Sequence, residues 1–302
     1  MRAVQRAADG TLGLVLHPTP APAEGQVLVR LRAVAVNPLD LAAQGVPGCG
    51  GAGIVAAVGP GVSPQRCGED VWLLGDFHTL GSYAEFVALP AECAVSLPAG
   101  IGYEQAATLG VAAVIAHHAL LADGDVRGRS VIVADAAGAV GGAAVQLAKW
   151  KGAHVIGTVD LRPEEGIARE AGADEVVNCR CGRFLNRLAQ ACGFGGVDRW
   201  IGGLGDDDRG VPLSRDGVLA RWDLQPGCRP MVRFRQEGQS RSSDVFALPQ
   251  AVLAGIARDI NTAIGAAALR PVVAQVFRLD QAPAAHSMLR QGGVPGSLVL
   301  KP

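Results

Sequence analysis

The stretch from residue 130 to residue 160 limits what this chain can fold into more than any other. Ser130-Val131-Ile132-Val133-Ala134 is an apolar run of strand length, and Ala136-Ala137-Gly138-Ala139-Val140-Gly141 follows it. Val140, Ala143, Ala144, Leu147 and Ala148 then recur at helical spacing. A second apolar strand, His154-Val155-Ile156-Gly157-Thr158-Val159, ends in Asp160, about 20 residues beyond the glycines. Strand, glycine turn, helix and strand in this order form a βαβ unit suited to a dinucleotide. The pyrophosphate is expected against Ala137, Gly138, Ala139, Val140 and Gly141. Gly138 lets the backbone approach it, Gly141 lets the helix pack on the strand, and the free N–H groups of the helix start lend partial positive charge. Asp160 stands where a ribose-binding acid is expected. Ala136 replaces the first glycine of the usual fingerprint.

A chain of 302 residues has room for one large or two ordinary domains. Its 49% hydrophobic and 18% charged residues describe a globular protein poor in surface charge. A net charge of −1 leaves no basic footprint for nucleic acid or anionic lipid. No apolar run has the length of a membrane span and no leader pattern follows Met1-Arg2-Ala3-Val4, so a cytoplasmic protein is expected. Seven cysteines, at 49, 67, 93, 179, 181, 192 and 228, are odd in number and irregular in spacing, which argues for free thiols. The close pair Cys179 and Cys181 lacks the further ligands of a tetrahedral metal site.

Short strands separated by Pro/Gly turns occupy the first hundred residues, at 26–36, 53–58, 70–74 and 82–89, and point to a β-rich, barrel-like domain. A helical pattern covers 103–121. From 129 onward strands and helices alternate, the pattern of a doubly wound parallel sheet. Residues 202–240 are dense in Asp, Arg, Gly and Pro and read as a surface excursion. The alternation resumes with a helix at 248–268, a strand at 272–279, a helix at 281–289 and a strand at 297–300 that is expected to return to the N-terminal domain.

Several segments carry a family resemblance in order. They are Ala33-Val34-Ala35-Val36-Asn37-Pro38-Leu39-Asp40, Gly51-Ala52-Gly53-Ile54-Val55 with Val58-Gly59-Pro60-Gly61-Val62, and Gly81-Ser82-Tyr83-Ala84-Glu85-Phe86-Val87. Leu97-Pro98 with Ala106-Ala107, the 136–141 turn, Ala171-Gly172-Ala173-Asp174 and the ending Gly296-Ser297-Leu298-Val299-Leu300 continue the series. Over nearly its whole length the chain resembles the medium-chain dehydrogenase/reductase superfamily, in its zinc-free quinone oxidoreductase branch, where alanine is common at the position of Ala136. The resemblance implies an α/β fold: a GroES-like β-rich barrel domain over 1–118 and 258–302, and a Rossmann doubly wound parallel sheet over 119–257. It further implies NAD(P)H in the cleft, a small-molecule substrate, hydride transfer to an enone, a quinone or a related electron-poor acceptor, and a homodimer.

The same resemblance places Asn37 near the nicotinamide and substrate, where its amide could bond a carbonyl or quinone oxygen; the alternative is a turn in which Asn37 and Asp40 cap backbone groups. Asp40 is expected to cap or position rather than to transfer protons. Zinc-dependent members have a cysteine where Asn37 stands and Gly-His-Glu where Gly48-Cys49-Gly50 stands. A catalytic zinc needs about three protein donors, so no metal is expected. His117 and His118 point about 100° apart on a helix and cannot chelate together, so packing is the better account of them. His78, beside Phe77, has no stronger claim. For the cofactor, Asp160 and Glu164 favour NADH over NADPH by repelling a 2′-phosphate, whereas Arg162 and Arg180 could pair with it. Two departures from the family bear on activity. The segment 41–46 is much shorter than the relatives' loop that covers the cleft, and 202–240 matches them poorly. Beside the oxidoreductase stands a second reading, a non-redox descendant of the same fold serving as a cofactor-independent enzyme or a binding or scaffold protein.

Overall fold

The computed structural model describes residues 1–75, 81–193, 195–203, 213–226 and 229–302. They divide into two compact units, Met1–Val111 with Pro271–Pro302 and a short piece around Gln225, and Ala112–Leu224 with Arg229–Arg270. The N-terminal strands are β1 (Arg2–Arg6), β2 (Leu12–Leu16), β3 (Gln26–Val36), β4 (Ala52–Val58), β5 (Asp70–Leu73), β6 (Phe86–Pro90) and β7 (Ala94–Ser96). β3 is the spine of this unit, pairing antiparallel with both β4 and β6, and β5 joins β4 to β7. Its sequence alternates around Arg30 and Arg32, which face outward, while Val27, Val29, Leu31 and Val34 are buried. Together with Val55, Val71, Leu73, Tyr83 and Val87 they form the first core. β1 and β2, a ribbon absent from the sequence reading, form a separate antiparallel pair.

A single helix was expected over 103–121. The chain instead forms α1 (Tyr103–Ala106), widens into a π turn over Leu109–Ala113, and resumes as α2 (Val114–Leu121). At the π turn Gly110 lies so close to β5 that a Cβ there would sit 2.0 Å from the Leu73 carbonyl oxygen.

The second unit follows with β8 (Ser130–Val133), α3 (Ala139–Trp150), β9 (His154–Val159), α4 (Glu164–Glu170), β10 (Glu175–Asn178), α5 (Phe184–Cys192) and β11 (Val197–Gly203). After these come β12 (Leu213–Asp223), β13 (Met231–Gln236), β14 (Gln239–Asp244) and α6 (Gln250–Gly265). The sheet order is β10-β9-β8-β11-β12-β13-β14. The strands from β10 to β12 are mutually parallel, and β13 and β14 close the edge antiparallel. The described part of 202–240 is therefore sheet and not a surface excursion. Val232 and Phe234 are buried between exposed Arg233 and Arg235, the period of a half-buried strand. Finally β15 (Val273–Arg278), α7 (Ala282–Gln291) and β16 (Ser297–Lys301) return the chain to the first unit, where β16 pairs antiparallel with β3. Because α2 packs on α3 and α6, the units divide at 111/112 and 270/271, whereas 118/119 and 257/258 were expected.

The helical spacing read from the sequence is the packing face of α3: Val140, Ala143, Ala144, Leu147 and Ala148 are all buried. Full burial of each large apolar side chain stabilises by about 1.5–3 kcal/mol. Gly141 of α3 lies close to the chain just after β8: a Cβ there would lie 2.0 Å from the Asp135 carbonyl oxygen and 2.8 Å from that of Ala134. Both are main-chain atoms, so no rotamer change relieves the clash. Gly141→Ala should therefore lower stability in urea by about 1–3 kcal/mol. At neighbouring Gly142 the nearest obstacle is 3.6 Å away, so Gly142→Ala should be neutral or mildly stabilising. Equal effects of the two substitutions would show that the helix–strand approach is not tight.

Candidate functional site

The dinucleotide turn begins where β8 ends. Ala134 N donates to the Ile201 carbonyl and Ala136 N to the Thr158 carbonyl, so β11 and β9 hold the turn from both sides. Gly138 is the N-cap of α3, and Gly142 N makes the first α-helical bond back to its carbonyl. The amides of Ala139, Val140 and Gly141 therefore have no partner within the helix and stand at the positive end of its dipole. Ala137, Val140 and Gly141 are buried and Ala139 is half-buried.

Asp135, which the sequence reading passed over, changes the character of this turn. It adopts a left-handed backbone, with φ of 50°, a region that aspartate tolerates better than most residues. Its carboxylate lies against Gly138: a Cβ there would be 2.0 Å from Asp135 Oδ2. Since Gly138 has φ of −74°, it needs no glycine for backbone conformation. What its missing side chain provides is room, and a carboxylate already takes part of that room. An acid between an apolar strand and a glycine turn was the available signal.

At the far end of β9 the residues weighed for NADH and for NADPH meet each other. Arg180 Nη2 lies 3.6 Å from Asp160 Oδ2, both side chains being more than half exposed. Arg162 is exposed one turn on. Glu164 is used otherwise, because its Oε2 accepts from the amides of Asp160 at 3.1 Å and Leu161 at 2.9 Å, where it orders the entry to α4.

In the first unit the Asn37–Pro38–Leu39–Asp40 turn is the edge of a buried polar chain. Asp40 Oδ2 accepts from the Asn37 amide at 2.7 Å, the capping role expected of it. The same oxygen accepts from the Tyr83 hydroxyl at 3.2 Å, and that hydroxyl lies 3.0 Å from His286 Nε2 on α7. Asp40 Oδ1 faces Cys49, whose Sγ donates at 3.6 Å, and the Asn37 side-chain amide donates to the same sulfur at 3.7 Å. Cys49 is brought there by Gly48, whose φ of 109° belongs to glycine and whose Cβ would collide with Ser82 and Tyr83. Asp40, Tyr83 and His286 are 2%, 0% and 1% exposed, whereas Cys49 is half-buried. Burial pushes the Asp40 carboxyl up to about 6 against its hydrogen bonds, and pushes His286 down to about 4. Burial and the Asp40 charge raise Tyr83 well above its ordinary value. Sequence reading found Asn37 and Asp40 but missed Tyr83 and His286, which no local pattern links to them.

The histidine pair is structural. His117 Nε2 lies 3.0 Å from Asp259 Oδ2, which also receives Lys151 Nζ at 2.9 Å; His118 packs edge-on against Phe234, its Nε2 buried without a partner. None of the described cysteines is in a disulfide. His78 lies outside the described residues.

Comparison with known proteins agrees with this arrangement. Residues 23–99 match the family model "Alcohol dehydrogenase GroES-like domain" and residues 139–208 the model "Zinc-binding dehydrogenase". The quinone oxidoreductase of Sus scrofa is 28% identical, covering 93% of this chain and 90% of its own length. That of Rattus norvegicus is 29% identical over the same shares. The Escherichia coli quinone oxidoreductase solved with NADPH has a TM-score of 0.85 and 25% identity, covering 100% of both chains. A dinucleotide-type sheet together with a GroES-like unit defines the class as a dehydrogenase/reductase fold. More narrowly, the chain belongs to the medium-chain dehydrogenase/reductase superfamily and is quinone oxidoreductase-like.

One of those model names implies zinc, and the side chains here do not fit it. Where Asn37, Asp40 and Cys49 converge, the metal-type donors among the described residues are one thiol and one carboxylate, fewer than the three a catalytic zinc needs. Among the described residues no group of three or more His, Cys, Asp or Glu could hold a metal ion.

The buried titratable groups set a pH dependence with opposing signs. Asp40 binds its proton more tightly folded than unfolded, so its contribution is full below 3.8 and lost as pH rises through about 6. His118 and His286 are both held down at about 4, so each contributes fully above 6.5 and loses that contribution as pH falls toward 4. Two histidines outweigh one acid, and stability should fall between pH 6.5 and 4. Asp40→Asn removes the opposing contribution and should make that fall steeper. Urea midpoints across this range test it, and parallel pH profiles for wild type and variant would refute the assignment.

Proposed function

We propose that this chain reduces an electron-poor C=C bond or a quinone with hydride from NAD(P)H, without zinc. The observation that carries the reading is the β8–turn–α3–β9 unit, with helix-start amides that have no partner within the helix and with Asp160 at the end of β9, in a quinone oxidoreductase-like chain. When bound, the cofactor would supply a hydride from its nicotinamide. The amides of Ala139, Val140 and Gly141 would hold its diphosphate, and Asp160 would accept from a ribose hydroxyl. Without a Lewis acid a simple alkoxide is poorly stabilised, whereas conjugate reduction spreads the charge over the acceptor. That favours enones and quinones over alcohols. A homodimer belongs to this reading on the family resemblance alone.

Titrating NADPH and NADH against tryptophan fluorescence tests the reading. Saturable binding is expected, lost in Gly138→Val. Asp135→Asn removes a negative charge beside the diphosphate and should tighten binding about tenfold, or about 1.4 kcal/mol. Exhaustive chelation should leave turnover unchanged, and zinc lost together with activity would refute the metal-free assignment. The Asp160–Arg180 pair is exposed and contributes about 1 kcal/mol or less, so cofactor preference should be mild. We assign it to NADH, with Asp160→Ser shifting it toward NADPH. A wild-type NADPH preference that this substitution leaves untouched would place control with the arginines.

One observation favours the second reading, a non-redox descendant: the Asp135 carboxylate stands where a diphosphate would bring its own negative charge. That reading requires that neither wild type nor Asp135→Asn bind either nucleotide.

A further inference from the structure

The antiparallel edge of the second unit concentrates positive charge that the dinucleotide reading does not use. Arg221 on β12 stands directly opposite Arg233 on β13, and Arg233 opposite Ser242 on β14. Leu219, Arg235 and Ser240 form the next row of the same kind. Residues two apart on a strand share a face, so the side chains of both rows lie on one side of this edge. On the other side Phe234 packs against His118 of α2. The two arginine rows line a cavity of about 330 Å³, completed by Phe234 and Arg241 of the row between them. No acidic residue is among those lining it.

In a chain of net charge −1 this is a local departure. Like charges directly opposite one another on a ladder oppose its pairing, so the arrangement has a cost that a bound anion relieves. The guanidinium groups are already engaged. Arg233 Nη2 lies 3.6 Å from Asp223 Oδ2, Arg241 pairs with Asp123 and stacks on Phe234, and Arg221 and Arg235 have contacts of their own. One partner does not exhaust a group with five N–H donors, and the cavity between them is open. Arg233, Arg235, Ser240 and Ser242 are exposed, so a ligand reaches them from solvent.

We propose that this face of β12, β13 and β14 is an anion site separate from the dinucleotide turn, and that it binds the phosphoryl group of a small phosphate ester. The donors choose the class. Several guanidinium forks and two hydroxyls offer more N–H and O–H groups than the two oxygens of a carboxylate accept, whereas a phosphoryl group has three oxygens and nearly two charges. Leu219 gives the organic part of the ester an apolar surface, and the cavity has the volume of a small-molecule site. The site shares no residue with the 135–141 turn, and β13 is the third strand from β8 in the sheet. It does not depend on the hydride-transfer reading.

Phenyl phosphate is the probe, titrated calorimetrically into the whole protein at low ionic strength beside inorganic phosphate. It should bind about tenfold tighter than inorganic phosphate, and Arg235→Gln should weaken it by about five- to tenfold, as should Arg233→Gln. Arg215→Gln makes the same change at an exposed residue of β12 outside the cavity and should leave binding unchanged. Hydrogen exchange with peptide mass spectrometry locates the ligand: amides of 231–244 should exchange more slowly with phenyl phosphate in wild type and not in Arg235→Gln. Equal affinity for the two phosphates, equal losses in Arg235→Gln and Arg215→Gln, or protection confined to the 135–141 turn overturns the proposal. Neither readout uses NAD(P)H or an acceptor, so failure here and failure of the hydride-transfer reading are told apart.

Discussion

A carboxylate taken out of water must be surrounded by donors, and the first unit is arranged around that requirement at Asp40. Its donors come from the turn at Asn37, the Gly48–Cys49 bend and the Tyr83 segment. Each was drawn in by a different device. Asn37 uses its own amide, Cys49 depends on the left-handed Gly48, and Tyr83 lies in the core beside Val87 and Leu89. Arg6 adds a brace from β1, donating to the Ala43 and Asp40 carbonyls and so fixing the short turn that carries the acid. Removing any one donor leaves the carboxylate short of a partner in a place where water does not replace it. The segment 41–46 is thereby held at Ala43, and the Arg6 amide donates to the Gly45 carbonyl as well.

The second unit obeys a different constraint, the separation between α3 and β8. Gly141 on the helix lets α3 approach the main chain that follows β8, and the five apolar positions of α3 then close over the sheet. Everything in that approach is local: strand, turn and helix follow one another within about twenty residues, and the periodicity that packs them is written along the chain. That is why the unit was legible from sequence. β13 and β14 were not, because Arg233 and Arg235 alternate with buried Val232 and Phe234, and because β14, Gln-Ser-Arg-Ser-Ser-Asp, contains no apolar residue at all. β14 is held by its ladder to β13, a partner that periodicity cannot supply.

The candidate site divides in the same way. Asn37 and Asp40 could be found because they lie in one turn, and the glycine turn because its spacing is fixed by helix geometry. Tyr83 and His286 are 203 positions apart, and only the return of α7 and β16 to β3 brings them to one hydrogen bond. Asp135 shows the opposite failure. It was adjacent to the motif, yet a pattern built on glycines gives no weight to the residue before them. Its carboxylate at the helix start satisfies some of the same electrostatics that a phosphate would, since both are drawn to the dipole's positive end. The turn thus contains its own anion at the start of α3.

Among the described residues no group of three or more His, Cys, Asp or Glu could hold a metal ion. On the zinc-independent reading proposed above, the charge of reduction has to be spread over the acceptor or neutralised with a proton as it forms. The buried groups around Asp40 are already used by the fold: its carboxyl, pushed up by burial to about 6, is held by the Asn37 amide, the Tyr83 hydroxyl and the Cys49 thiol. A substitution at Asp40 therefore shifts the turn and the pH dependence of stability through the same atoms.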